Sequence, residues 1–174
     1  MKFWLLGVVL GLGACAPAVV NQPPTLATQD AWNVVPHITP VIQTDRRACG
    51  LAAAQMVVAH WDKPVPVAMK TGDNGVRAGQ IKQALEASGL LAFVIAGSIG
   101  DLQNETAKGR PVIVGVAMDE NQRRYGHFVV VVGTSPVASK LMLIDPQRGY
   151  VVQRFDEFAH RWNEAGNVAI VAAP

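Results

Sequence analysis

The chain has 174 residues, of which 50% are hydrophobic, so it can bury the core of one domain. Its net charge of +2 comes from 15 basic and 13 acidic residues without long runs of either sign, which argues against a nucleic-acid partner. The two cysteines and four dispersed histidines have none of the usual ligand spacings, so we expect no metal and no cofactor.

The first fifteen residues have the pattern of an export signal. Lys2 precedes an apolar run from Phe3 to Leu12, which is too short to span a bilayer. The run ends in Leu12-Gly13-Ala14-Cys15, which resembles the lipobox of bacterial lipoproteins, where cleavage before the cysteine leaves that residue acylated. We therefore expect residues 1–14 to be a lipoprotein signal peptide and Cys15 to be lipidated. The alternative is an ordinary secretory signal with an incidental cysteine.

Lipidation would determine where the protein resides and the state of its other cysteine. Outside the cytoplasm, thiols usually pair in disulfides. If Cys15 is acylated, Cys49 has no partner cysteine in an oxidising compartment, and an unpaired cysteine there is a candidate for a reactive thiol. A Cys15–Cys49 disulfide, the alternative, would tie the fold to a flexible tail. Because Ala16 replaces the aspartate that often retains lipoproteins at the inner membrane, we expect an anchor in the outer membrane of a bacterial cell envelope, facing the periplasm.

After the cysteine, residues 15–35 are predicted to be a lipidated tether, and residues 36–174 a single domain. The tether contains scattered polar residues and the three prolines Pro17, Pro23 and Pro24. The domain contains no repeat and no low-complexity tract.

The predicted elements of the domain begin with helices and continue mainly with strands. Apolar periodicity predicts helices at residues 48–61, from residue 75 to a stop at Gly89, at 100–108 and at 156–162. Short β-branched runs predict strands at residues 90–96, 111–117, 128–133, 140–144, 150–153 and 168–171. This order predicts an α+β fold in which the helices pack on one side of an antiparallel sheet.

The first helix would place Cys49 at its N-terminus. The positive end of the helix dipole and the free backbone donors there lower the pKa of a thiol. The polar stretch Gln43-Thr44-Asp45-Arg46-Arg47 precedes the helix and would keep the thiol reachable. The alternative is a buried cysteine of the core.

A catalytic thiol requires a base. His60 lies eleven residues along the same helix as Cys49, which at 1.5 Å per residue puts it about 16 Å away. It is therefore predicted to be a helix-end residue. His127 stands at the start of a strand, a rigid platform for a base, although such a histidine is more often structural than catalytic. Asp145 ends the next strand, where it can orient the imidazole or simply start a turn. The chain's histidines are His37, His60, His127 and His160.

Together these motifs resemble the bacteriocin-processing, double-glycine leader peptidase family. The likeness extends over nearly the whole globular part, in order along the chain. The segments that carry it are Gln43, Cys49-Gly50-Leu51-Ala52-Ala53, Ala59-His60-Trp61, Gly89-Leu90, Gly109-Arg110-Pro111-Val112-Ile113, Gly126-His127-Phe128-Val129-Val130, Asp145-Pro146-Gln147-Arg148-Gly149 and Phe158 to Trp162.

This resemblance implies a papain-like fold and a thiol peptidase that cleaves peptide bonds through a thioester acyl-enzyme. Cys49 would attack the carbonyl, His127 would move the proton, and Asp145 would hold His127. The side-chain amide of Gln43 would form the oxyanion hole with the backbone N–H of Cys49.

Two features depart from the family's pattern. Ala48 stands where an acidic residue often precedes the nucleophile in members that process leaders, which weakens the inference about the substrate. The best-known members are the front ends of membrane exporters, whereas this chain has neither a transmembrane bundle nor a nucleotide-binding loop, so it is expected to act alone or with a separate secretion apparatus. The alternatives are a catalytically silent peptide-binding module, or the same thioester chemistry used for transpeptidation, cell-wall amide hydrolysis or deamidation.

Overall fold

The computed structural model of the chain describes residues 19–69, 75–120 and 123–174. The predicted signal peptide and Cys15 lie outside the described residues. Within the described ranges, no helix combines the length and the apolar character needed to cross a membrane.

The described residues form four α-helices and one seven-stranded antiparallel sheet. The strand order is β2-β7-β3-β4-β5-β6, and β1 pairs with the far end of β4. This architecture confirms the predicted α+β class and every predicted helix and strand. The helices are α1 (Cys49–His60), α2 (Ala78–Ala87), α3 (Ile99–Ala107) and α4 (Phe155–Glu164). The strands are β1 (Asn33–Val34), β2 (Leu91–Ala96), β3 (Val112–Glu120), β4 (Arg123–Ser135), β5 (Lys140–Asp145), β6 (Gly149–Arg154) and β7 (Val168–Ala173).

Local signals fix the ends of α2 and α3. Gly89 follows α2 with φ +87°, a left-handed conformation that favours glycine, and so ends the helix where the sequence predicts a stop. Helix α3 begins with a capping box, in which the Asp101 N–H donates to the Ser98 hydroxyl and the Ser98 N–H donates to the Asp101 carboxylate at 2.8 Å.

The sheet is covered on both faces, and the prediction that all helices pack on one side is wrong. Successive residues of a strand point to opposite faces, and Ile113 belongs to one buried cluster while its neighbours Val112 and Val114 belong to the other. Helices α1 and α2 pack into the first cluster, whereas Leu102 of α3 and Trp162 of α4 pack into the second. The central strands are apolar on both faces, so each face needs a cover.

Parts of the segment predicted to be a tether pair with the sheet. Residues 33–34 form β1 against β4, and the next residue, Val35, is buried and donates its N–H to the Val132 carbonyl at 2.8 Å. Nearer the N-terminus, Val20 forms an isolated parallel bridge with Gly149. Apolar anchors and strand pairing thus hold much of this segment, and the packed unit begins before residue 36.

Candidate active site

Cys49 is the first residue of α1 and is 7% exposed. The preceding residue, Ala48, has no side-chain acceptor, so no side chain caps the backbone donors at this helix start. Asp45 organises the loop before the helix. Its carbonyl accepts the Ala48 N–H at 3.2 Å, and its carboxylate accepts the Arg47 N–H at 2.8 Å. The loop therefore holds the thiol at the positive end of the helix dipole.

The glycine after Cys49 permits close packing. A Cβ built on Gly50 would lie 3.1 Å from Val76 Cβ and 3.1 Å from Ile81 Cδ1. Because Gly50 has no side chain, α1 can approach α2 and the residues before it closely, and this contact fixes the position of the first turn that carries Cys49.

His127 lies within β4, opposite Val116 of β3, and its side chain is 1% exposed. Its Nε2 is 2.8 Å from Oδ1 of Asp145, the last residue of β5. Two neighbouring strands of the sheet thus hold the imidazole and the carboxylate together, as the sequence predicts for a base and its orienting partner.

Asp145 is fully buried, and three donors satisfy its carboxylate. Oδ1 accepts His127 Nε2 and the Gln147 N–H, each at 2.8 Å, and Oδ2 accepts Arg148 Nε at 2.8 Å. Burial raises the pKa of this carboxyl, but the hydrogen bonds from His127, Gln147 and Arg148 and the charge of the imidazole outweigh burial and lower the pKa to about 2. Asp145 is therefore a carboxylate at neutral pH.

The second ring nitrogen of His127, Nδ1, is buried and has no hydrogen-bond partner in standard geometry among the described residues. The Cys49 thiol nevertheless lies close enough to the His127 ring for the ring to change the pKa of the thiol. Burial raises the pKa of the thiol, but the interaction with His127 and the backbone N–H groups of Phe128 and Gly50 lower it below its ordinary value. Since Nε2 is bonded to Asp145, Nδ1 is the nitrogen left to accept the thiol proton.

The pKa of the His127 imidazole shifts in the opposite direction. Burial lowers the pKa of His127, but the hydrogen bond and charge of Asp145 together with the interaction with Cys49 raise it to about 9. A thiol with a lowered pKa beside an imidazole with a raised pKa favours a thiolate–imidazolium pair. The arrangement can therefore supply a nucleophile and a proton donor at once.

Gln43 lies beside this group, and its position is fixed by the turn that follows Asp145. Its backbone N–H donates to the Pro146 carbonyl at 2.8 Å, and its side-chain Nε2 donates to the Asp45 carbonyl at 2.8 Å. The side chain forms no hydrogen bond with Cys49 in this structure, and Oε1 is buried without a partner among the described residues. One N–H of the amide remains for an oxyanion.

The other histidines make different contacts. His60 is the last residue of α1, as predicted, and its Nε2 lies 3.1 Å from the Gly109 carbonyl oxygen. His160 is exposed on α4, 3.8 Å from Glu164. No group of three or more His, Cys, Asp or Glu is placed to hold a metal ion in the part of the chain that the structure describes.

Arg148 is a contact of this site to which the sequence reasoning assigned no role. It belongs to the Asp145-Pro146-Gln147-Arg148-Gly149 segment, but an arginine in a surface turn is ordinarily solvated. The signal that could have identified it is its place three residues after the carboxylate in a tight turn, where its side chain can fold back onto Asp145.

Comparison with known proteins decides the family. Residues 37–174 match the description of the peptidase C39 family. The chain belongs to the peptidase C39 family. It is accordingly a cysteine-type peptidase with a papain-like fold, and the resemblance seen in the sequence is confirmed. No curated protein matches the chain.

Solved C39 structures share the fold over most of the chain. The peptidase domain of Streptococcus ComA, a bifunctional ABC transporter of a quorum-sensing pathway, is 26% identical with a TM-score of 0.64, covering 77% of this chain and 96% of that domain. A putative C39-like peptidase from Bacillus anthracis is 16% identical with a TM-score of 0.65, covering 81% and 96%. A double-glycine motif protease from an AMS/PCAT transporter, solved with its leader peptide, is 22% identical with a TM-score of 0.62, covering 79% and 91%.

Proposed function

We propose that this C39 peptidase cleaves peptide bonds through a thioester acyl-enzyme, with Cys49 as nucleophile, His127 as acid and base, and Asp145 as the residue that orients His127. One observation carries the proposal. His127 Nε2 is bonded to the buried Asp145 carboxylate at 2.8 Å, and the same imidazole lowers the pKa of the Cys49 thiol at the start of α1. Base, orienting group and activated thiol thus form one connected unit.

The steps follow from these positions. The Cys49 thiolate attacks the scissile carbonyl carbon, and the carbonyl oxygen takes the negative charge, which the Cys49 N–H and the free N–H of Gln43 stabilise. The imidazolium of His127 gives its proton to the leaving amine as the C–N bond breaks, which leaves a thioester on Cys49. His127 then takes a proton from water, and the resulting hydroxide attacks the thioester carbon. The C–S bond breaks and the carboxylic acid is released. The proton that His127 took either stays on the imidazole, as imidazolium, or passes to the sulfur.

The proposed substrate is a peptide or an extended segment of a protein. The C39 peptidase solved with a leader peptide supports this substrate class. In the family that the sequence resembles, an acidic residue often precedes the nucleophile in members that process leaders, whereas this chain has Ala48. The proposal therefore names peptide-bond cleavage and no particular leader.

We propose that the enzyme acts outside the cytoplasm, anchored through a lipid on Cys15 to the outer membrane of a bacterial envelope and facing the periplasm. The apolar run before Leu12-Gly13-Ala14-Cys15 supports the anchor, and Ala16 supports the choice of membrane. The enzyme would receive its substrate directly or from a separate secretion apparatus.

Replacing Gln43 by alanine tests the oxyanion role. Because one donor to the oxyanion is lost, Gln43→Ala is expected to lower kcat by about 10²- to 10³-fold with little change in KM. Steady-state cleavage of a fluorogenic peptide that the wild type turns over measures both constants. Gln83→Ala, at an exposed position of α2, is the matched control and should keep wild-type kcat. An unchanged kcat in Gln43→Ala would remove Gln43 from the mechanism.

A further inference from the structure

The turn that joins β5 to β6 fixes the Asp145 carboxylate from two sides. On one side Oδ1 accepts the His127 ring N–H and the Gln147 backbone N–H. On the other side Oδ2 accepts Arg148 Nε at 2.8 Å. A carboxylate held at only one oxygen can rotate about its Cβ–Cγ bond, whereas donors on both oxygens restrict that rotation. Arg148 supplies the hydrogen bond to Oδ2.

The backbone of Arg148 is held as firmly as its side chain. Its N–H donates to the Asp145 carbonyl at 3.0 Å, and its carbonyl accepts the Val20 N–H at 2.9 Å. The Val20 carbonyl in turn accepts the Tyr150 N–H at 2.8 Å. The segment at Val20 therefore lies against the turn and binds it on both sides of Gly149.

Gly149 is what makes this approach possible. Its φ is +79°, and a Cβ at this position would lie only 2.0 Å from the Val20 carbonyl oxygen. Any other residue would therefore push the Val20 segment away from the turn. Gly149 and the bridge to Val20 together restrain the backbone of Arg148 in the folded protein.

We propose that Arg148 is a positioning residue for the active site: its guanidinium holds the Asp145 carboxylate in the orientation that His127 requires, and the Val20 segment fixes the backbone from which it reaches. This inference rests on the proposed roles of Cys49, His127 and Asp145. Arg148 touches neither the thiol nor the substrate carbonyl in that mechanism, and it acts only through Asp145.

The exposure of Arg148 favours a positioning role over a stabilising one. Its side chain is 41% exposed while that of Asp145 is 0% exposed. Solvent partly screens the charge of the guanidinium, whereas its directed hydrogen bond still fixes the angle of the buried carboxylate. A second arginine, Arg161 of α4, lies within the electrostatic range of both residues. Burial and then the charge of Arg148 lower the pKa of Arg161, and the charge of Asp145 partly opposes them. Arg161 donates to Gln153 and Met118, not to Asp145.

The test is the alkylation of Cys49 by iodoacetamide, followed on the Cys49-containing peptide by mass spectrometry across a range of pH. In Arg148→Gln the Asp145 carboxylate is held less firmly and would stabilise the His127 imidazolium less. The imidazolium would then stabilise the Cys49 thiolate less. We expect the pH midpoint of alkylation to rise and the rate at pH 6 to fall about three- to tenfold. Removing the positive charge of Arg148 would by itself also raise the midpoint, because the thiolate loses a nearby cation, so a variant that keeps the guanidinium is needed to separate position from charge.

Three variants complete the experiment. Arg148→Lys keeps a cationic donor of similar length and should restore most of the rate. Val20→Pro removes the donor to the Arg148 carbonyl and leaves the guanidinium intact, so it should shift the midpoint in the same direction by a smaller amount, and it serves if Arg148→Gln does not fold. Arg154→Gln is the matched control, because Arg154 lies on the neighbouring strand β6 and pairs with Asp156.

The outcomes separate this inference from the function on which it rests. A wild-type midpoint near that of an ordinary thiol would remove the thiolate–imidazolium pair and the proposed function with it. A low wild-type midpoint that stays unchanged or falls in folded Arg148→Gln, or that stays unchanged in folded Val20→Pro, overturns the role of Arg148 and leaves the proposed function intact. A raised midpoint in both variants, with rescue by lysine, supports the role.

Discussion

Replacing Cys49 by alanine should abolish peptide cleavage while the protein stays folded. The sulfur is the atom that forms the thioester, and Cys49 is the one cysteine among the described residues. We expect the rate to fall on the order of 10⁶-fold, comparable to removal of the nucleophile from a serine triad. Cleavage of a peptide substrate by purified protein, with circular dichroism as the check on folding, measures this loss.

Cys15→Ala provides the matched control, because it removes the chain's other cysteine. The proposed mechanism gives Cys15 no part in the chemistry, so this variant should retain the wild-type rate in detergent solution while losing its attachment to membranes. If the folded Cys49→Ala protein kept its activity, the acyl-enzyme route would be excluded.

Replacing Asp145 is expected to have the second largest effect, and two substitutions separate its two contributions. Asp145→Ala removes both the charge and the acceptor for His127 Nε2, which leaves a buried ring donor unpaired. We expect a fall in kcat of about 10³- to 10⁴-fold. Asp145→Asn keeps an acceptor oxygen for His127, so its loss of kcat should be clearly smaller than that of Asp145→Ala. Its amide N–H₂ would face Arg148 Nε, which is also a donor.

Steady-state kinetics on the same peptide measure both variants, and His160→Ala on the exposed face of α4 is the control for a change near a charged surface group. If Asp145→Ala kept kcat within threefold of the wild type while remaining folded, the hydrogen bond between β4 and β5 would be structural. Equal losses in the alanine and asparagine variants would show that the charge, and not the orientation of the ring, carries the effect.

The regular part of the fold could be predicted from the sequence because local signals determine it. Apolar periodicity placed α1 to α4, and a capping glycine at Gly89 placed the end of α2. The covering of both faces of the sheet was missed, although the uninterrupted apolar run of β3 already indicates burial on both sides.

The candidate site could be predicted only in part. The types and local contexts of Cys49, His127 and Asp145 suggested a thiol, a base and an orienting carboxylate, but their proximity depends on long-range strand pairing, which the family resemblance supplied and spacing could not. The sequence reasoning assigns no role to Arg148, although its contact with Asp145 is local. The bridge from Val20 that fixes its backbone joins segments far apart in the sequence, and no sequence period predicts such a bridge.

The measurement that tests the central claim most directly is the pH dependence of Cys49 alkylation in the wild type and in His127→Ala. The imidazole pKa of about 9 means that His127 keeps its proton as the pH rises until that value, while the Cys49 pKa lies below 9.0. The wild type should therefore be alkylated at a lower pH than His127→Ala, which should react only as the pH approaches the ordinary thiol range. Identical profiles for the two proteins would contradict the pairing of Cys49 with His127.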